Sequence, residues 1–245
     1  MILEGLARRW PGKPPVFTGL DLAVEHGLFT CLLGPSGCGK STLLRCAASL
    51  DPPEAGRILI DGREVREPSP DRQLILQDDN QLLPWLTVED NVLFPRRMGA
   101  VPGAGKPCVT DARALLSLVG LPDAGKLHPA QLSGGMRQRA VLARALAAEP
   151  RFLLLDEPFA ALDAEIRGRL HRVLTDIRRG RNVTVLLVTH DVGEALVLAD
   201  RLVYMDAGGK LGPPENNPLG QERNPESPEF FQEMIRMRRR YESLV

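Results

Sequence analysis

The sequence feature that most constrains the fold is Gly34-Pro-Ser-Gly-Cys-Gly-Lys-Ser41, which fits the pattern G-x-x-x-x-G-K-[ST]. The apolar run 28–33 before it predicts a strand buried on both faces, and residues 41–50 after it predict a helix. A strand, a glycine-rich loop and a helix start turn successive backbone N–H groups toward one anion. We therefore predict a loop that binds the phosphates of a nucleoside triphosphate. The alternative is a Gly-rich turn that precedes a helix and matches by chance.

Each residue type in this loop has a chemical reason to be there. Glycines let the backbone curl without Cβ clashes, Lys40 brings a positive charge to the β- and γ-phosphates, and the Ser41 hydroxyl is a ligand for Mg²⁺. The predicted nucleotide contacts are Gly34, Pro35, Ser36, Gly37, Cys38, Gly39, Lys40, Ser41 and Thr42.

Composition excludes several classes of protein. The chain has 245 residues, 43% of them hydrophobic, which is typical of a globular domain and not of a disordered chain. Its formal net charge is zero, so we expect no nucleic-acid partner. No apolar run approaches the ~20 residues of a membrane span, and the N-terminus does not have the order of a signal peptide. The cysteines show no metal-binding spacing, and we expect reduced thiols without a metal cage or disulfides.

Strands that alternate with helices predict a parallel sheet. Residues 152–156 and 183–190 are continuous apolar runs, each followed by a helical pattern. Ligands bind at the carboxyl ends of such strands. Asp156 and His190 stand at these ends, as does the phosphate loop, so the sequence predicts one polar site on one edge of the sheet.

Two further regions surround this core. The alternation up to about Gly27, with Leu20, Leu22 and Val24 on one face, predicts an antiparallel strand, and 56–65 predicts a hairpin that turns at Asp61-Gly62. Between Gln77 and Pro150 the patterns indicate helices and loops without a strand. Expected helices begin at the caps Asp111 and Ser133. The first has its apolar face at Ala112, Leu115, Leu118 and Val119 and stops at Gly120.

Three further helices are predicted after residue 160. One helix has its apolar stripe at 166–177 and closes at Gly180, and Asp191 with Glu194 predicts a capping box for the next. A last helix is expected from Pro228 to about Ser243, and its arginine cluster 236–240 predicts a solvated face, with contact to anionic lipid as the alternative. We expect residues 1–211 to form one nucleotide-binding domain with a helical insertion at about 78–150, and 212–245 to form a Pro-rich linker and a helix.

The acid pair Asp156-Glu157 follows a predicted buried strand. Phosphoryl chemistry uses both acids: Asp156 holds Mg²⁺, directly or through water, and Glu157 polarises the attacking water as general base. The alternative for an acid pair alone is a surface loop.

A second glycine-led helix start lies at Leu132-Ser-Gly-Gly-Met-Arg-Gln-Arg139. Ser133 caps this helix, while Gly134 and Gly135 expose N–H groups to an anion. One γ-phosphate cannot easily touch both helix starts of a compact chain. The sequence therefore predicts a head-to-tail dimer, each nucleotide lying between two chains; the alternative is an ordinary capped helix.

These motifs together resemble the ATP-binding subunits of ABC transporters. Residues 34–41, 132–139 and 152–157 match the family's phosphate loop, signature and Walker B motifs, while Ala161-Leu-Asp163 matches its D-loop. The resemblance implies a P-loop NTPase (ABC ATPase) α/β fold, in which a core with a parallel sheet carries an antiparallel β flap and a helical subdomain. It also implies ATP and Mg²⁺ as cofactors and hydrolysis of ATP.

The resemblance also assigns roles to single residues. Gln77, in the position of the Q-loop glutamine, would contact Mg²⁺ and water, His190 would contact the γ-phosphate, and Asp163 would cross the dimer interface. The signature residues expected to meet the partner's ATP are Leu132, Ser133, Gly134, Gly135 and Gln138. Trp10 lies where the family has an adenine-stacking aromatic, usually Tyr; a core or surface Trp is the alternative.

Within the family, residues 77–91 resemble the Q-loop segment of importers for nitrate, aliphatic sulfonates and taurine. Leu76, where that group commonly has Phe, and the Pro/Gly-rich stretch 98–110 depart from the pattern. The resemblance implies a homodimer on ATP binding, separate transmembrane permease subunits, a solute-binding protein, and a peripheral place on the cytoplasmic face of the inner (plasma) membrane. The alternatives are a soluble ABC ATPase acting on nucleic acid or ribosomes, and a P-loop small-molecule kinase.

Overall fold

A computed structural model of the chain describes residues 1–77, 80–99, 112–160, 162–181, 183–221 and 223–244. Its helices are α1 (Lys40–Ala47), α2 (Val88–Arg97), α3 (Ala112–Leu118), α4 (Gly134–Ala147), α5 (Ala164–Arg181), α6 (Val192–Leu198) and α7 (Pro228–Glu242). Its strands are β1 (Ile2–Arg9), β2 (Pro15–Ala23), β3 (Phe29–Leu33), β4 (Ala55–Ile60), β5 (Arg63–Glu64), β6 (Arg72–Ile75), β7 (Phe152–Asp156), β8 (Thr184–Thr189), β9 (Arg201–Tyr204) and β10 (Glu215–Asn216).

The larger sheet is parallel except at one edge. Its strand order is β10-β9-β3-β8-β7-β6, and only β10 runs antiparallel to its neighbour. Every residue of β3, β7 and β8 is buried, which is why these strands are continuous apolar runs. The parallel sheet predicted from the sequence is confirmed, and β3, β8 and β7 bring their carboxyl ends to one edge.

The smaller sheet is antiparallel, with strand order β2-β1-β4-β5. Leu20 and Leu22 of β2 are buried, as the alternation predicts, and β1 completes the pair. Between β4 and β5 the turn residues Asp61 and Gly62 both have positive φ, at 51° and 76°. The predicted antiparallel flap and its hairpin turn are confirmed.

The described residues between 80 and 150 form helices and no strand. Ser133 caps α4 as predicted, since its Oγ accepts a hydrogen bond from the Met136 N–H; Asp111, the other predicted cap, lies outside the described residues. In α3 the predicted apolar face is partly wrong, because Leu118 is 37% exposed and Leu116 is buried. The predicted end of α5 is also wrong by one residue, since the helix continues through Gly180 to Arg181.

Helix α1 lies between the two sheets. Its Leu43, Leu44 and Cys46 are buried in a core that includes Leu3 and Leu6 of β1. A second core joins the opposite face of the parallel sheet to α2–α7. The loop between β3 and α1 is therefore anchored at both ends by buried elements.

The cysteines of the described residues, Cys31, Cys38 and Cys46, are buried and unbridged. Burial raises the pKa of each thiol, that of Cys46 to about 11. Among the same residues, no helix has the length and apolarity needed to cross a membrane.

Candidate active site

The loop between β3 and α1 depends on glycine at three positions. Gly37 and Gly39 have φ of 83° and 112°, in the region that side chains disfavour. A Cβ on Gly39 would stand 2.5 Å from Val16 Cγ1, and one on Gly34 would stand 2.6 Å from the Met205 carbonyl oxygen. The backbone can therefore curl in this way only with glycines at these sites.

Lys40 lies inside the curl of this loop, and only 5% of its surface is exposed. Its ammonium group donates hydrogen bonds to the carbonyl oxygens of Gly34 and Pro35, both at 2.7 Å, and lies 3.9 Å from Cys38 Sγ. An ammonium held among backbone carbonyls is positioned as a point charge for an anion that enters the loop.

Asp156 ends β7 beside the start of α1. It is 5% exposed and accepts a hydrogen bond from the Ser41 hydroxyl. Burial raises the pKa of this carboxyl, and the Ser41 hydrogen bond partly opposes that shift. A hydroxyl and a carboxylate oxygen side by side are hard ligands of the kind that Mg²⁺ prefers.

Glu157 is one of the few non-glycine residues with positive φ, at 46°. Its N–H donates to the Val188 carbonyl oxygen at 2.9 Å, which ties it to the neighbouring strand. His190 follows that strand, and its Nδ1 lies 3.0 Å from Glu157 Oε2. The imidazole is 56% exposed, so one face of this pair is open to solvent. A held carboxylate next to an imidazole can orient water and move a proton.

A pocket of about 520 Å³ opens over the loop. The predicted residues that line it are Trp10, Ser36, Gly37, Cys38, Gly39, Lys40, Ser41, Thr42, Gln77 and Glu157. Gly34 and Pro35 lie buried beneath its wall, where their carbonyls bind Lys40. The geometry brings together residues from both sheets.

Trp10 lies in the turn between β1 and β2 and lines this pocket. The guanidinium of Arg8 lies 4.7 Å from the centroid of its ring. The ring is thus supported by a cation and also lines the pocket, which suits stacking on a planar base.

The signature residues lie elsewhere. Ser133 is exposed at the N-terminus of α4, followed by the half-buried Gly134 and Gly135, whereas Leu132 and Gln138 are buried. None of them is among the residues that line the 520 Å³ pocket in the described part of the chain. Asp163 is also exposed, and its Oδ1 accepts from the Ile166 N–H at 2.9 Å; Ala161 lies outside the described residues.

Sequence reasoning missed part of the pocket. Its wall also includes Lys13, Pro14, Pro15 and Val16 from the β1–β2 connection, and Ala207 and Gly208 after β9. Lys13 adds a second cation to a pocket that already holds Lys40. Only the Pro-rich turn around Trp10 signals this wall in the sequence, because contacts between distant segments leave no local pattern.

The capping box predicted at α6 is half wrong. Asp191 caps the helix, accepting from the N–H groups of Gly193 and Glu194. Glu194 does not reach back to the Asp191 N–H, because the Thr189 hydroxyl accepts from that group at 3.0 Å. Thr189 in turn donates to Glu194 Oε2 at 2.6 Å. The intervening hydroxyl places Glu194 inside the protein next to the strand that carries His190.

Burial of Glu194 has a consequence for stability. Desolvation raises the pKa of this carboxyl from 4.5 to about 7. The folded state therefore holds the proton more tightly than the unfolded state, and stability falls as pH rises from 4.5 to 7.

We expect Glu194→Gln to raise the free energy of unfolding at pH 8 by about 2 kcal/mol, and by much less at pH 5. A neutral amide avoids the cost of ionising a buried group while still accepting from Thr189. Urea unfolding at both pH values measures the difference, with the exposed Glu54→Gln as control. Equal stability of variant and wild type at pH 8 would contradict this prediction.

Comparison with known proteins now identifies the family. Residues 17–160 match the model of the ABC transporter family. The fold resembles two solved dimeric structures of the ATP-binding cassette MJ0796. One is a post-hydrolysis state bound to ADP and Pi, with a TM-score of 0.77, 29% identity, and coverage of 88% of this chain and 97% of the other. The second has a TM-score of 0.78 at the same identity and coverage.

Curated relatives share more of the sequence. The chain is 48% identical to a taurine import ATP-binding protein of Sinorhizobium fredii, over 78% of this chain and 70% of the relative. It is 46% identical to an aliphatic sulfonates import ATP-binding protein of Bacillus licheniformis, over 80% and 74%. A nitrate import ATP-binding protein of Synechocystis is 43% identical over 80% of this chain, which spans only 29% of that longer protein. The chain therefore belongs to the ABC transporter family, as an ATP-binding ATPase.

Proposed function

We propose that this chain couples ATP hydrolysis to the import of a small solute, such as nitrate, a sulfonate or taurine. The observation that carries the proposal is the convergence of the phosphate loop, Asp156, Glu157 and His190 on one edge of one sheet. The taurine and sulfonate importer relatives support the solute class, since each shares more than 40% identity with this chain.

In this proposal the predicted residues 34–42 hold the nucleotide. Backbone N–H groups of the loop and the α1 N-terminus bind the phosphates, and Lys40 places its charge against the β- and γ-phosphates. Trp10 stacks on the adenine, with Arg8 against the ring.

The Ser41 hydroxyl and the Asp156 carboxylate form a donor set that fits Mg²⁺. This ion keeps several waters and takes one or two protein oxygens together with phosphate oxygens, so two adjacent oxygens are enough. Ser41 and Asp156 would hold the ion, with Gln77 lining the same pocket as Ser41, and the bound Mg²⁺ would neutralise charge on the β- and γ-phosphates.

Glu157 acts as general base for the attacking water, and the hydrogen bond from its backbone N–H to the Val188 carbonyl oxygen fixes the backbone that carries the carboxylate. His190, 3.0 Å from Glu157, orients the carboxylate and contacts the γ-phosphate. Gln77 lines the same pocket and positions the water.

The exposed signature surface of one chain completes the ATP site of a second. Ser133, Gly134 and Gly135 present a helix start outside their own chain's pocket, with Leu132 and Gln138 packed beneath them. A head-to-tail homodimer places this helix start against the partner's γ-phosphate, and the exposed Asp163 crosses the interface.

An importer ATPase of this kind works with other subunits. We propose separate transmembrane permease subunits, a solute-binding protein reached through the complex, no nucleic acid, and a peripheral place on the cytoplasmic face of the inner (plasma) membrane. Residues 1–211 form the ATP-binding domain with its helical subdomain at about 78–150, and 212–245 form the C-terminal extension.

Light scattering of Glu157→Gln with and without Mg-ATP tests the shared site. The variant keeps phosphate binding but stalls hydrolysis, so we expect the mass to shift from one chain of 26.9 kDa to a dimer. Adding Ser133→Arg puts a bulky cation at the helix start and abolishes the shift. A dimer that persists in the double variant contradicts the head-to-tail arrangement.

A further inference from the structure

The C-terminal helix contacts the phosphate loop. Tyr241, in the last turn of α7, donates its hydroxyl hydrogen to the carbonyl oxygen of Gly34, with the two oxygens 3.1 Å apart. These residues are 207 positions apart in the chain. Gly34 is the first residue of the loop, so α7 touches the point where the loop leaves β3.

The same carbonyl oxygen accepts a hydrogen bond from Lys40 Nζ at 2.7 Å. A carbonyl has two lone pairs, so Tyr241 and Lys40 together saturate it. Lys40 has three N–H donors; two go to Gly34 and Pro35, and the third lies near Cys38 Sγ, a weak acceptor that a phosphate oxygen can replace.

Gly34 has little room to move when one of its hydrogen-bond donors is removed. Its Cα packs so closely on the end of β9 that a Cβ would stand 2.6 Å from the Met205 carbonyl oxygen. Helix α7 is itself fixed beside this point, because Arg240 forms an ion pair with Glu215 at 2.6 Å and lies over the ring of Tyr204. The hydroxyl of Tyr241 thus reaches Gly34 from a held helix.

We propose that Tyr241 is a positioning residue for ATP binding, acting on Lys40 through the Gly34 carbonyl. This proposal rests on the ATP site assigned above to residues 34–42. With the hydroxyl in place, Gly34 has a second donor, and the Lys40 ammonium is shared between the loop and the phosphates. Without it, the Gly34 carbonyl draws the ammonium toward the loop, and phosphate binding weakens.

Tyr241→Phe tests the proposal, because it keeps the ring and removes only the hydroxyl. We expect KM for ATP to rise about 3- to 10-fold, the effect of one neutral hydrogen bond, while kcat at saturating ATP changes less than about 2-fold. The dissociation constant for Mg-ATP, measured by calorimetry, should rise by the same factor.

Arg239→Gln is the matched control, because it changes an exposed side chain of the same helix and leaves both the Tyr241 hydroxyl and the ion pair of Arg240 with Glu215 in place. We expect its KM for ATP to stay within about 2-fold of wild type. An unchanged KM in Tyr241→Phe, or an equal rise in both variants, overturns the proposal. Failure of the ATP site itself would show differently, as absence of Mg-ATP binding by the wild-type chain.

Discussion

Glu157→Gln lowers kcat for ATP hydrolysis about 10²- to 10⁴-fold, the range expected when a general base is lost. Glutamine keeps the size and shape of the side chain but cannot accept a proton from water. The phosphate loop is untouched, so the dissociation constant for Mg-ATP stays within about 2-fold of wild type. Phosphate release at saturating ATP measures the first quantity, and calorimetry the second.

Glu165→Gln is the control for this prediction, because it makes the same chemical change on the exposed first turn of α5. It should hydrolyse ATP at the wild-type rate. A Glu157→Gln variant that retains more than about a tenth of kcat would mean that another group takes the proton, and the general-base role would be wrong.

Two inactive variants restore activity when mixed. Lys40→Ala removes the positive charge that binds the phosphates, and Ser133→Arg blocks the helix start that binds the partner's ATP. Each homodimer therefore has two defective sites. In a mixed dimer, the Ser133→Arg chain supplies an intact loop and the Lys40→Ala chain an intact helix start. One complete site forms, and an equal mixture should recover about a quarter of wild-type activity if chains exchange randomly.

The matched control for this mixture is the double variant. A chain that carries both Lys40→Ala and Ser133→Arg cannot form a complete site with either single variant. Mixing it with either of them should therefore restore no ATPase activity. If the two single variants also restore nothing on mixing, while gel filtration shows that they exchange, each site is built within one chain and the head-to-tail proposal fails.

The sequence predicts the phosphate loop and the central strands because their signals are local and strong. Residues 34–41 carry a fixed glycine and lysine spacing, and β3, β7 and β8 are buried on both faces, so every position in them except the last of β7, Asp156, is apolar or a threonine. The sequence pattern does not predict strand β6. It has four residues, begins with Arg72 and lies at the sheet edge, and so it has neither alternation nor a long apolar run.

Errors of detail arise where side chains compete for one partner. The pair Asp191 and Glu194 has the spacing of a capping box, yet Thr189 takes the N–H that the box requires. The hydrogen bond from Tyr241 to Gly34 joins the C-terminal helix to the loop after β3 and leaves no pattern in either segment. Such contacts depend on how elements pack, which periodicity does not encode.

The burial of Cys31, Cys38 and Cys46 also determines how the motions of this ATPase can be followed. Their raised thiol pKa values and lack of exposure make them poor nucleophiles toward maleimide reagents at neutral pH. With Cys108 replaced by Ser, a single cysteine added on the protein surface becomes the preferred attachment point for a spin label or dye. The ATP-dependent association of two chains proposed above can then be read as a distance between labels, with the native core left unaltered.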